Sequence, residues 1–243
     1  MQNAWNVAKK DFKIYLRKPS VIYATVAMPL IFGIVFPLIV NYSLHKSAGH
    51  LTAASALTLM DSFSLWFLIG AAIIPTAIAS YSIVGEKIQK SLEPLLATPM
   101  SDGDILLGKT LAALLIPLFS LYIGSALFMG LMDHFTFSTL GYNYYPNWHV
   151  GAILLAVPLA ALLSVELNVI ISSKFTDVRS AQQAGSLLML PFIGLFLASE
   201  LGFFTLNNTN LLIIAGALLV ICIIAFFVAK STFQREEILT TWK

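Results

Sequence analysis

Three groups of residues have types and spacings that could do chemistry. Gly103 to Thr110, GDILLGKT, satisfies the phosphate-binding pattern G-x-x-x-x-G-K-[ST]. That pattern works when a strand leads into a loop of free backbone N–H groups and a helix begins only after the lysine. Here Ser101 and Asp104 form an S-x-x-D helix start upstream of it, and the residues between are apolar helix formers. Their amides would already be bonded inside a helix, so we read the match as accidental. Lys109 is then expected to reach up to the membrane interface. The second candidate is Glu166, in the middle of a long apolar run. A charged residue at a bilayer centre costs about 2.5–3.5 kcal/mol on insertion scales, so such a group faces protein or water. It is either a substrate or proton contact or a carboxyl that ties helices together, with an asparagine such as Asn168 as the kind of partner. Third, His45, His50, His134 and His149 fall on one side of the chain with Asp61 and Asp133. They could assemble an external metal site. No ligand spacing such as H-E-x-x-H is present, so they read as scattered interfacial residues.

The elements that must carry these residues are set by composition. The 243 residues are 58% hydrophobic and 11% charged, with a mean hydropathy of +0.84. Soluble domains are nearer ~45–50% apolar and ~25% charged. The chain is an integral membrane protein by this measure. A formal charge of +2 gives no footprint for nucleic acid. The single cysteine, Cys222, lies in an apolar run and permits no disulfide framework. The N-terminus does not read as a signal peptide, because its first apolar run is too long and follows an amphipathic stretch.

Six spans are expected, at 21–42, 62–84, 108–131, 150–172, 185–204 and 211–229. Each is long enough, at ~1.5 Å per residue, to cross a ~30 Å hydrocarbon core. Residues 1–19 precede them as a basic amphipathic helix. Trp5, Ala8, Phe12, Tyr15 and Leu16 share one face, while Lys9, Lys10, Lys13 and Arg17 take the other. Such a helix lies in the membrane surface. Outer loops are expected at 43–61, at the aromatic-rich 134–149 and at 207–210, and Glu200 falls near the outer end of its span. Pro29, Pro37, Pro75, Pro117, Pro158 and Pro191 lie in or beside the spans, where they free backbone carbonyls and allow kinks. The whole chain, 1–243, forms a single transmembrane domain.

Orientation follows from the basic residues. The N-terminal segment holds five, the 85–109 segment three, the 173–184 loop two and the C-terminal tail three, while Lys46 alone falls elsewhere. By the positive-inside rule both termini and both of those loops are cytoplasmic. The 85–109 segment is the most built of them. It holds Glu86, Glu93, Asp102 and Asp104, a short amphipathic run LEPLLA with Pro94 near its start, and a break at Thr98-Pro99. We expect a short surface helix, then a break, then a capped helix entering the membrane.

The stretch IVGEKIQKSLEPLLATPMSDGDILLGKTLA resembles the signature region of the type-2 permeases of ATP-binding-cassette (ABC) transporters. The matching features are Glu86, Leu92-Glu93, Leu95-Leu96, Thr98-Pro99 and Leu106, Gly108 and Lys109. Lys90-Ser91 stands where the family has Gly-Thr, and the opening AKKDFKIYLRKPS with MPLIFG is also similar to the family's start. The resemblance implies an all-α permease of six spans, with a cytoplasmic coupling helix between the second and third. Two permeases, a second copy or a paralogue, would sit on two ABC ATPase subunits in a cell membrane. ATP and Mg would be bound by those subunits, with no cofactor on this chain. Contacts to the ATPase would be Glu86, Glu93, Leu95, Leu96 and Pro99, with Asp177 and Arg179 as a second, smaller contact. The substrate path would run between the permeases past Phe63, Trp66, Phe67, Met189, Phe192 and Phe196, with Glu166 as a further candidate.

The expected function is export of an amphipathic or hydrophobic substrate such as a drug, lipid or peptide. Absence of a sizeable ectodomain argues against capture from an external binding protein. The alternatives are a proton-coupled secondary transporter using Glu166 and a membrane assembly or sensor subunit that does not transport.

Overall fold

The computed structural model describes residues 2–46, 53–89, 100–144, 147–203 and 207–232. All regular structure among them is helical. Helix α1 is Gln2–Leu16, α2 Pro19–Lys46, α3 Ala53–Ile88 and α4 Asp102–Leu140. One turn, α5 (Trp148–Gly151), passes through a widened π-helical turn at Ala152–Ala156 into α6, Val157–Lys174. Helix α7, Val178–Ser186, passes through a 3₁₀ turn at Leu187–Met189 into α8, Leu190–Glu200. Helix α9 is Asn208–Thr232.

Six of the resulting rods are long and apolar enough to cross a membrane: α2, α3, α4, α5–α6, α7–α8 and α9. The six expected spans are therefore present, but they continue past their apolar windows. The expected outer loop 43–61 is largely taken up by the ends of α2 and α3, and 134–140 is a continuation of α4. Likewise 173–184 is no open loop, since only Phe175 to Asp177 separate α6 from α7. Polar residues sustain a helix that tertiary contacts already hold, so hydropathy alone understates helix length.

Two prolines explain the irregular turns. Pro158 cannot donate to the carbonyl four residues back, and its ring crowds that carbonyl. Just before it the backbone widens, and Val157 N–H bonds to the carbonyl of Ala152. Pro191 falls in the first turn of α8, directly after the 3₁₀ turn.

Two extensive seams organise the bundle, α2 against α4 and α3 against α6. In the first, Gly33 and Gly124 let the backbones touch. A Cβ on Gly124 would strike the backbone of Pro29, and one on Gly33 would strike Gly124. In the second seam, small polar residues bond across the interface. Ser164 Oγ donates to the Ala72 carbonyl at 2.6 Å, and Ser80 Oγ to Asn168 Oδ1 at 3.3 Å. Helix α9 shows most of its apolar side chains to the outside, including Leu212, Ile223 and Phe227.

Substituting Gly124→Leu is expected to cost about 1–3 kcal/mol through overpacking. Gly130, on the same helix with open space around it, should accept alanine with no loss. Thermal unfolding of the purified chain in detergent would measure both.

Candidate coupling site

Helix α1 packs along α4, seated where Gly108 allows close approach; a Cβ there would meet Ala4 and Val7. Its buried face is Ala4, Val7, Ala8, Asp11 and Tyr15, while Trp5 and Leu16 stay exposed. Of the expected apolar face, Ala8 and Tyr15 turn inward with Asp11, while Trp5 and Leu16 point outward. A buried acid in a basic helix needs a partner.

That partner is Lys109. It does not reach the interface as expected but is fully buried. Its ammonium donates to Glu86 Oε2 at 2.6 Å, to the Ser82 carbonyl at 2.9 Å and to Asp11 Oδ2 at 3.4 Å. Three protons thus meet three acceptors. Glu86 Oε1 accepts from Lys10 at 2.9 Å, so two cations face two anions where α1, α3 and α4 meet. Burial pushes the Asp11 carboxyl above the usual carboxylate range, against the pull of Lys109. Its ionised form therefore costs stability, and that cost grows as pH rises from the usual value to the elevated one. Nearby, Lys18 Nζ stands 3.4 Å over the Tyr81 ring and Gln89 Nε2 donates to Tyr81 Oη at 2.8 Å.

The phosphate-loop pattern is inside α4, so its amides are spent within the helix. Ser101 caps that helix as expected, with Asp104 N–H bonded to Ser101 Oγ at 3.1 Å. The serine hydroxyl in turn donates to Asp104 Oδ2 at 2.8 Å. The lysine cluster and this cap flank residues 90–99. Glu93, Leu95, Leu96 and Pro99, expected as docking contacts, lie outside the described residues. Glu86, expected with them, is 7% exposed and occupied by two lysines. Asp177 and Arg179 are exposed at the start of α7. Asp177 accepts from the Ser180 amide at 2.9 Å and the Ser180 hydroxyl at 3.0 Å, which hold its carboxyl below the usual range.

The residues expected along a substrate path divide into three places. Phe63, Trp66 and Phe196 form one half-buried aromatic patch with Phe32 and Phe36. Phe36 and Phe63 stack at 4.5 Å, and Trp66 lies 5.9 Å from Phe196. Met189 is part-buried against the same apolar core. Phe67 is fully buried behind that patch, edge-on to Phe32 at 6.0 Å and near Phe128 of α4, while Phe192 turns into a cavity between α6, α8 and α9. Glu166 lies elsewhere, in a groove against Leu219, Cys222 and Phe226 of α9. It is 4% exposed, and its Oε2 finds no hydrogen-bond partner among the described residues. Asn168 does not bond to it; that amide donates to the Ser164 carbonyl at 2.9 Å.

At the other end of the bundle, His149 is not a scattered interfacial residue. It is 1% exposed, with Nε2 2.6 Å from Asp61 Oδ1 and its ring stacked on Trp148. The next residue, Ser62, donates to Glu200 Oε1 at 2.6 Å, so Glu200 ties α8 to α3. No group of three or more candidate metal ligands forms among the described residues.

Lys109→Met alone would leave Glu86 and Asp11 buried and underpaired, a loss of about 3–5 kcal/mol. Adding Glu86→Gln and Asp11→Asn should recover most of it. Asp11→Asn alone should cost less than Lys109→Met, since Glu86 and the Ser82 carbonyl still receive the ammonium. Thermal midpoints of the three variants in detergent decide the order.

A search of curated proteins gives no significant match. A family model described as "ABC-2 family transporter protein" matches residues 5–238. That range runs from the first turn of α1 past the end of α9 and takes in the lysine cluster, the cap and all six long helices. The chain therefore belongs to the ABC-2 transporter family, as a membrane permease component and not a catalytic subunit.

Proposed function

We propose that this chain is the permease half of an ABC exporter that moves an amphipathic or hydrophobic substrate outward. The family match over 5–238 carries the reading. ATP and Mg are bound by a separate pair of ATPase subunits, and a second permease, identical or paralogous, completes the pathway. The end of the bundle bearing α1 and the start of α7 faces the cytoplasm, as do the 85–109 segment and both termini. Thirteen of the fourteen Lys and Arg residues are assigned to that side by the loop count, with Lys46 the exception. Helix α1 lies along the membrane surface there.

Residues 90–99 dock on the ATPase through Glu93, Leu95, Leu96 and Pro99. Asp177 and Arg179 make the smaller contact. Glu86 acts as a positioning residue: with Lys109 and Asp11 it makes the ends of α3 and α4 one rigid base, which a moving ATPase can push. Work done outside the bilayer reaches the pathway only through such stiff elements. The half-buried patch of Phe63, Trp66 and Phe196 supplies the apolar wall of the substrate path.

The test is co-expression of the full chain with an ATPase encoded beside it. The ATPase should co-purify with the wild type. Deleting 92–97, or Glu93→Ala, should reduce substrate-stimulated ATP hydrolysis to background while membrane insertion stays intact. Full stimulation in the deletion variant would refute the docking role. ATP-independent flux that Glu166→Gln abolishes would favour proton coupling instead.

A further inference from the structure

Two neighbouring apolar cavities lie beneath α1 and share two lining residues. The larger, about 580 Å³, lies between Phe12 and Leu16 of α1, Val26 and Leu30 of α2, and Leu115 and Phe119 of α4. The smaller, about 170 Å³, is lined by Trp5, Ala8 and Lys9, and Phe12 and Leu115 line both. The larger alone falls within the ~300–1,000 Å³ range of small-molecule sites. Ser120 is the one polar residue lining it, and its hydroxyl is already donated to the Thr25 carbonyl at 3.1 Å. From Leu115 to Ile123 the groove follows α4 for about 12 Å, a length suited to a chain and not to a compact polar solute.

Charge at its mouth says what kind of chain. Five basic residues belong to α1 and the turn after it. Two of them turn toward α3, Lys10 to Glu86 and Lys18 to the face of Tyr81. Lys9, Lys13 and Arg17 recur every fourth residue along one edge of the helix, beside the apolar stripe of Trp5, Phe12 and Leu16. All three are exposed and have no ion-pair partner among the described residues, and Lys9 itself lines the smaller cavity. An apolar slot beneath a helix that carries three exposed cations beside its apolar stripe, one of them lining the smaller cavity, is complementary to a molecule with a hydrocarbon tail and a net negative head. A zwitterionic lipid brings its own cation and leaves this edge unneutralised.

We propose that the groove holds one anionic phospholipid, with an acyl chain along α4 beneath Phe12 and its phosphate at the Lys9–Lys13 edge within the field of Arg17. This rests on the reading that α1 lies along the membrane surface. Each basic residue near an anionic headgroup adds about 1 kcal/mol, or about fivefold in affinity.

The experiment uses the full chain purified in a non-ionic detergent and offered equal amounts of phosphatidylglycerol and phosphatidylcholine with the same acyl chains. Retained lipid is counted by native mass spectrometry. The wild type should retain one phosphatidylglycerol in preference to phosphatidylcholine. Lys9→Gln, Lys13→Gln or Arg17→Gln should each lower that preference about fivefold; all three side chains are exposed, so folding is spared. Leu115→Trp, which narrows both cavities at the residue they share, should lower retention of either lipid. Equal retention of the two lipids by the wild type, or a preference unchanged by the neutralising variants, would overturn the proposal. Undiminished retention by Leu115→Trp would place the lipid elsewhere and overturn it equally. No ATPase takes part, so a negative result leaves the exporter reading standing, and loss of ATPase binding leaves this one standing.

Discussion

A single buried ammonium holds the base of this bundle together. Lys109 enters the protein fully, and its charge is tolerated there only because two carboxylates and a carbonyl receive it. The acceptors come from two other helices. Asp11 arrives on α1, and Ser82 and Glu86 arrive on the last turns of α3, while the lysine itself stands near the start of α4. An isolated charge in such a place would cost several kcal/mol. The four-charge arrangement makes position and electrostatics inseparable, since none of the three helices can shift without uncovering a charge. Buried ion pairs are weak evidence for stability but good evidence for fixed geometry where several elements meet in one.

Away from that base the helices are held by steric and short-range polar means. Helices α2 and α4 touch backbone to backbone at Gly33 and Gly124. Helices α3 and α6 exchange serine and asparagine hydrogen bonds. In a hydrocarbon solvent, packing apolar side chains against one another gains little over packing them against lipid, so close contact and polar bonds decide which helices pair. The aromatic patch around Phe36, Phe63 and Trp66 lies outside both seams, and its rings remain part-exposed. The protein thus combines close-packed seams with a part-exposed aromatic patch.

Much of this was legible in the sequence because it is local. An apolar run long enough to span a bilayer leaves few alternatives, and the six rods follow from six such runs. The serine cap at Ser101 was equally readable, since donor and acceptor lie three residues apart. Helix ends were misjudged where polar residues prolong a rod that packing supports, as at 134–140 and 178–184. The lysine cluster was invisible to pattern reading because Asp11 and Lys109 are 98 residues apart. One clue existed: Asp11 is the only acid before Asp61, set in a helix of basic residues and sharing a face with Val7 and Tyr15. His149 was named with Asp61 but read as a scattered interfacial residue for a similar reason, since the two are 88 residues apart.

The opposite end of α3 is fastened differently. Asp61 grips His149 of the fourth rod, and its neighbour Ser62 grips Glu200 at the end of the fifth. Adjacent residues on a helix point about 100° apart, so these two bonds pull α3 in different directions about its own axis. Turning α3 to relax one of them stretches the other. That end of α3 is therefore fixed in rotation as by two bolts on one spindle: it turns only when both bonds are broken together.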